Sequence, residues 1–225
     1  MSFYWVKTNA IIRKLFSSYI WLLPNNEKKI YLTFDDGPIP EVTEWVLAEL
    51  KKNNAKASFF CIGKNIEANP DIFKKIINDG HSIGNHTYNH LNGWKTSTEN
   101  YLADIEKCEN AIIKSACDFK RSTPQLFRPP YGKIKTGQTK RIKSLGYKII
   151  MWDVLSGDFD QKKAKEKCLD NLIQNIEPGS IIVFHDSVKA SKNLKYALPK
   201  VLDYLNNNNF SYARITAESF TNSKL

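Results

Sequence analysis

Histidine is scarce: His81, His86, His90 and His185 are the only four among 225 residues. Any chemistry that needs imidazole is therefore confined to few places. Cysteine is equally sparse. Cys61, Cys108, Cys117 and Cys168 lie far apart with no C-x-x-C pair, which excludes a cysteine-pair metal or redox motif. They read as free, mostly buried thiols of a reducing compartment, with one disulfide left open. No run of about 18 apolar residues occurs, which speaks against a membrane-spanning helix. The apolar stretch 15–23 follows Arg13 and Lys14 like a short signal core. Pro24-Asn25-Asn26 offers no small-x-small cleavage site, so a removed signal is not expected. Repeats, low-complexity tracts and linkers are absent, which leaves one large domain. Acidic residues are missing between Phe119 and Trp152, a stretch with nine Lys or Arg.

What is present starts with charge. A formal net charge of +10, from 33 Lys and Arg against 23 Asp and Glu, favours anionic partners such as nucleic acid, a lipid surface or an acidic glycan. No recognisable nucleic-acid motif accompanies it, so nucleic acid is not expected as a partner. Residues 1–28 form an N-terminal segment. Trp5, Ile12, Phe16, Tyr19 and Leu23 can share one helical face. The preferred reading packs that face on the domain. The alternative lays residues 3–23 on a membrane surface, with Lys7, Arg13 and Lys14 toward headgroups. Cytoplasmic or membrane-peripheral placement is the corresponding expectation.

From residue 29 onward, strand-like and helix-like segments alternate. Strands are expected at 29–35, 57–62, 81–85, 126–128, 147–154, 180–185 and 210–215. Helices are expected at 41–53, 70–79, 98–116, 137–145, 161–176 and 194–205. The strands are continuously apolar rather than alternating, as in parallel sheets buried on both faces. The expected class is α/β, a distorted (β/α)7-8 TIM-like barrel spanning 29–225, with a flat doubly wound sheet as runner-up. In both, chemistry belongs at the C-terminal strand ends.

Chemistry-bearing residues gather at those ends. Thr33-Phe34-Asp35-Asp36-Gly37-Pro38 closes the first strand with two adjacent carboxylates. Taken alone it is a turn; with partners, one acid can hold a metal while the other serves as base to the water it activates. His86 and His90, as His-Thr-Tyr-Asn-His, follow the third strand. A helical turn there would put both rings on one face. Two imidazoles and a carboxylate suit Zn²⁺ or a similar ion with open positions. Arg128, before Pro129-Pro130-Tyr131-Gly132, can fix a carboxylate bidentately. Trp152-Asp153 and Asp158-Phe159 supply acids and aromatics to the mouth. Val183-Phe184-His185-Asp186 ends the last strong strand, with His185 a candidate general acid.

In this order the motifs resemble the polysaccharide deacetylases, the NodB-homology or carbohydrate esterase family 4 group, over roughly 29–216. The resemblance implies metal-dependent removal of N- or O-acetyl groups from sugars of a glycan such as peptidoglycan, a chitin-like oligosaccharide or a lipid-linked sugar. It implies Asp36, His86 and His90 as ligands of a divalent ion, Zn²⁺ first and Co²⁺, Ni²⁺ or Mn²⁺ as alternatives. It implies Asp35 as base held by Arg128, and His185 as acid oriented by Asp158. The Tyr131 amide would help bind the oxyanion. Tyr131, Trp152, Phe159 and Val183 would contact substrate. Phe159 stands where the family often has tryptophan, Val183 where it often has leucine, and Leu155 where many members have aspartate. The basic stretch around Arg128 suggests an anionic glycan; no protein partner is implied. Rival readings are a metal-dependent hydrolase of another non-peptide C–N bond and a catalytically silent glycan binder.

Overall fold

The structure is a computed structural model that describes residues 4–23, 25, 27–116 and 124–220. Cys117 and the basic residues Lys120 and Arg121 lie outside the described residues. The strands are β1 (Lys29–Asp35), β2 (Ser58–Cys61), β3 (Ser82–Asn85), β4 (Gln125–Phe127), β5 (Tyr147–Ile149), β6 (Val154–Leu155), β7 (Ile181–His185) and β8 (Ser211–Tyr212). They pair in parallel in the order β5-β4-β3-β2-β1-β7-β6, and β8 pairs with the start of β1. The helices are α1 (Ala10–Leu15), α2 (Val42–Lys52), α3 (Gly63–Ala68), α4 (Pro70–Asn78), α5 (Thr98–Ala116), α6 (Thr136–Ser144), α7 (Lys165–Ile173) and α8 (Ser191–Asn207).

β1 shows how the sheet places chemistry. Its side chains alternate between faces. Ile30, Leu32 and Phe34 join the main core with residues of α2 and α8, whereas Tyr31 belongs to a second cluster with Phe60, Leu126, Ile150 and Ile181. Thr33 and Asp35 follow the parity of Tyr31 into that inner side. The outer face is tight: Phe34 stacks on Phe59 at 5.1 Å and on Phe184 at 5.8 Å. Against it α8 buries Leu194, Leu198, Val201, Leu202 and Leu205, a stripe of helical period. α4 opens on Pro70, where the missing N–H would have no helical acceptor.

The sheet curls. β5 and β6 are its opposite edges, yet only residues 150–153 separate them. The single strand expected at 147–154 is thus two. Ile150 N–H still donates to Phe127 of β4 (2.8 Å), while Asp153 N–H donates to Ile181 of β7 (3.0 Å). The N-terminal segment fills the seam. Ile20 bridges Ile150 in parallel and Lys7 bridges Val154 antiparallel. The expectation of a (β/α) barrel holds in an open, half-barrel form.

That segment is not one long helix: among its described residues only Ala10–Leu15 is α-helical, and Trp21 and Leu23 are buried. Lys7 and Arg13 do not face outward together. Lys7 Nζ bonds Asp153 Oδ2 at 2.7 Å and Glu177 at 2.8 Å, and Arg13 lies 3.6 Å from Asp153 Oδ1. Two further corrections concern helices. The one expected at 161–176 is confined to Lys165–Ile173, and α3, with no side-chain cap, had no signal in the sequence. No described helix is long and apolar enough to cross a membrane.

Candidate metal centre and active site

Asp35 and His185 are the last residues of neighbouring strands and are register partners, so their side chains leave the sheet on one side. Asp35 accepts a hydrogen bond from Arg128 Nη1 at 2.7 Å. Arg128 is fully buried, and every part of its fork is used. Nη1 also donates to Thr33 Oγ1 (2.7 Å), Nε to the Ile150 carbonyl (3.2 Å) and Nη2 to the Met151 carbonyl (2.9 Å), while its Cζ sits 4.1 Å from the centre of the Phe60 ring. Burial disfavours the charge on Asp35, but Arg128, His86 and His185 outweigh it and hold the carboxyl below its ordinary value.

Asp36 follows with a left-handed φ of 87°. The next residue is glycine for want of space: a Cβ on Gly37 would lie 1.9 Å from Asp186 Oδ2. Asp186 accepts from the Gly37 amide at 3.0 Å and from Thr43 Oγ1 at 2.6 Å, which pins the loop that carries Asp36. The Oδ1 of Asp36 is buried and has no hydrogen-bond partner. It faces His90 Nε2 at 3.4 Å and His86 Nε2 at 3.8 Å.

His86 and His90 converge, with ring centres 5.1 Å apart, but not by a helical turn as the spacing suggested. Residues 86–90 form a loop with left-handed Thr87 (φ 63°) and His90 (φ 57°). Asp104 of α5 braces it, accepting from the amides of Tyr88 (2.8 Å) and Asn89 (2.9 Å). His86 Nδ1 is 2.7 Å from the Arg128 carbonyl. A carbonyl only accepts, so Nδ1 carries the proton and the Nε2 lone pair faces Asp36. His90 Nδ1 lies 3.1 Å from the Tyr131 hydroxyl. Burial lowers both imidazoles, His90 to about 4 with help from His86, so both are neutral at physiological pH. Ligand atoms of Asp36, His86 and His90 all lie within 4.8 Å of one another. An orphaned carboxylate oxygen facing the Nε2 atoms of two neutral imidazoles fits a divalent cation.

His185 is the opposite case. Its Nδ1 is 2.8 Å from Asp158 Oδ1, and its amide donates to Asp158 Oδ2 at 2.8 Å. Burial lowers the imidazole, but Asp158 dominates with Asp36 and Asp35 behind it, lifting it to about 9. A base kept deprotonated and an acid kept protonated thus share one cleft of about 560 Å³. Tyr131, Trp152, Phe159 and Val183 line it. Tyr131 is held at φ 60°. Gly132 beside it, also left-handed, leaves room for Trp152, whose ring a Cβ would approach to 2.7 Å. Phe159 packs edge-on to His185 at 5.0 Å.

Asp153 is not at the mouth where the sequence placed it; it is buried under the N-terminal segment, tied to Lys7 and Ser180. Sequence reasoning also missed lining residues Tyr4, Lys133, Ser187 and Lys189. No motif marks them, since only the folded rim brings them together.

Residues 23–150 match the family model described as polysaccharide deacetylase. A peptidoglycan-N-acetylglucosamine deacetylase of Bacillus cereus is 35% identical over 199 residues, covering 87% of this chain and 90% of that protein. A second B. cereus protein of that name is longer: it is 38% identical, and the match covers 76% of this chain and 60% of the relative. The chitooligosaccharide deacetylase of Azorhizobium caulinodans is 34% identical over 73% of this chain and 76% of its own length. A crystal structure of a peptidoglycan N-acetylglucosamine deacetylase superposes with a TM-score of 0.84 at 32% identity, covering 96% of this chain and 99% of the other. On the agreement of family model, relatives and curled parallel sheet, the chain belongs to the polysaccharide deacetylases, hydrolases of carbohydrate esterase family 4.

Proposed function

We propose that this enzyme removes N-acetyl groups from amino-sugar residues of a peptidoglycan- or chitin-like glycan, with a divalent cation, Zn²⁺ first, held by Asp36, His86 and His90. The observation that carries the reading is the unpartnered Oδ1 of Asp36, facing two imidazole nitrogens directly beside the Asp35–Arg128 pair. A cation there, when bound, supplies Lewis acidity toward the acetyl oxygen and acidifies a water. Asp35 accepts the proton of the attacking water, and Arg128 keeps it ionised and aimed. His185 gives its proton to the departing amine nitrogen, and Asp158 holds the ring for that transfer. The Tyr131 amide is assigned to the oxyanion, and Val183 to the wall around the acetyl methyl. The names of the relatives support the sugar class.

Two lysines at the cleft, Lys133 and Lys189, support a glycan that carries negative charge. The presence of Asp35, Asp36, His86, His90 and His185 in one cleft, with Arg128 buried behind Asp35, argues against a silent binder, although one structural neighbour, from Bacillus anthracis, is a family 4 pseudoenzyme.

The test combines elemental analysis with acetate release from chitooligosaccharide and peptidoglycan. His86→Ala should lose metal and turnover together. Asp35→Asn should keep the metal and lose about 10²–10⁴-fold in kcat, the usual weight of a general base. Full metal content in His86→Ala, or no acetate from the metal-loaded parent on either glycan, sinks the reading.

A further inference from the structure

One wall of the cleft comes from outside the barrel's repeating units. Tyr4 lines it, although it lies far ahead of β1 in the chain. It gets there because β6 is an edge strand with an open side. Residues 6–8 occupy that side as an antiparallel neighbour. Leu155 N–H donates to the Val6 carbonyl and Thr8 N–H to the Asp153 carbonyl, each at 2.8 Å. Thr8 Oγ1 adds a bond to the Trp152 carbonyl at 2.7 Å, and Lys7 closes on buried Asp153 at 2.7 Å. Register is therefore fixed twice, by backbone and by side chains.

Two residues upstream, Tyr4 reaches the loop after β6. Its hydroxyl donates to Asp160 at 3.4 Å. Its ring lies 5.1 Å from Phe159 at 55°, and the Lys163 ammonium sits 4.6 Å from its centre. Gly157 leaves the room, since a Cβ there would stand 2.8 Å from the Tyr4 hydroxyl oxygen. Phe159 in turn packs on His185. Tyr4 touches none of the metal-facing groups. It extends the aromatic lining away from them, on the side of the proton donor. A cleft of about 560 Å³ falls within the roughly 300–1,000 Å³ of pockets that take multi-ring ligands, more than one acetyl group fills. A pyranose presents an apolar C–H face edged by hydroxyls, which suits an aromatic ring with a polar tip.

We propose that Tyr4 is a specificity-determining residue: with Phe159 it forms a subsite for the sugar ring adjacent to the one being deacetylated, and residues 6–8 are the strap that holds it there. The proposal rests on the deacetylase reading above.

The test compares the parent, Tyr4→Ala and Tyr4→Phe on a chitin oligosaccharide and on a small aryl acetate ester that enters only the acetyl pocket. Tyr4→Ala should raise the oligosaccharide KM about tenfold with kcat within about twofold, the order of loss for one truncated aromatic contact. Its ester kcat/KM should fall far less. Tyr4→Phe should restore most of the lost affinity. An unchanged oligosaccharide KM overturns the proposal, and so does an equal loss on both substrates, which would mark Tyr4 as merely structural. A parent that hydrolyses neither substrate refutes the deacetylase reading instead. Oligosaccharide binding by calorimetry then decides the subsite alone, with a Kd unaltered by Tyr4→Ala, or no binding by the parent, overturning it.

Discussion

Asp35 and His185 leave adjacent strands at paired positions, and their surroundings pull their proton affinities apart. Burial works against both charges. Arg128 nevertheless holds Asp35 below the usual carboxylate range, and Asp158 lifts His185 to about 9. Two titratable groups driven in opposite directions are the pattern of an assigned acid and base. The sign of the pH dependence follows. The working form needs Asp35 ionised and His185 protonated, so activity should persist through neutrality and fall as pH rises past about 9. His185→Ala should abolish that alkaline limb. It should also slow N-acetyl sugars, whose amine leaves badly unprotonated, far more than aryl acetates, whose phenolate needs no proton. Parallel pH–rate profiles on both substrate types, with equal losses, would remove His185 from the role of acid.

At the scale of elements, Arg128 acts as a strut between strands. From the end of β4 it reaches Thr33 and Asp35 of β1 and the carbonyls of Ile150 and Met151, in the stretch that joins the two sheet edges. Arg128→Met would leave Asp35 buried without its partner, and breaking a buried pair by removing one member costs about 3–5 kcal/mol. Urea denaturation should register that loss in the midpoint; a variant as stable as the parent would mean that Asp35 simply takes up a proton. The sequence displayed this part of the site well. Asp35, Arg128 and His185 each end an apolar run or stand just past one, and a buried parallel strand advertises itself by such runs. The histidine pair was legible from spacing, but its geometry was not, because Asp104 and two left-handed residues shape that loop. The break at 150–153 and the strap at 6–8 had no signal at all. Both depend on hydrogen-bond partners more than a hundred residues away, Val6 with Leu155 and Ile20 with Met151, and no local periodicity encodes such pairings.

For the whole molecule, the surplus of positive charge has a direction only where it meets the cleft. A net charge of +10 raises encounter rates with any polyanion, whereas Lys133 and Lys189 line the cleft itself. Lys133 is partly committed, its ammonium 5.3 Å from the centre of the Trp94 ring, an arrangement that keeps the charge while fixing its place. A glycan with carboxylate groups should therefore gain from the lysines in a way that a neutral one does not. Salt separates the two. The Debye length shrinks from about 30 Å at 0.01 M to about 3 Å at 1 M, so kcat/KM on a carboxylate-bearing glycan should fall steeply across that range. On neutral chitooligosaccharide it should stay nearly level. Replacing both lysines by glutamine should flatten the first curve toward the second, while a distant pair such as Lys51 and Lys52, at the end of α2, should lower it only slightly. If the two glycans respond alike to salt, or if the distant pair matters as much as the pair at the cleft, the charge is a property of the general surface and the substrate needs none of its own.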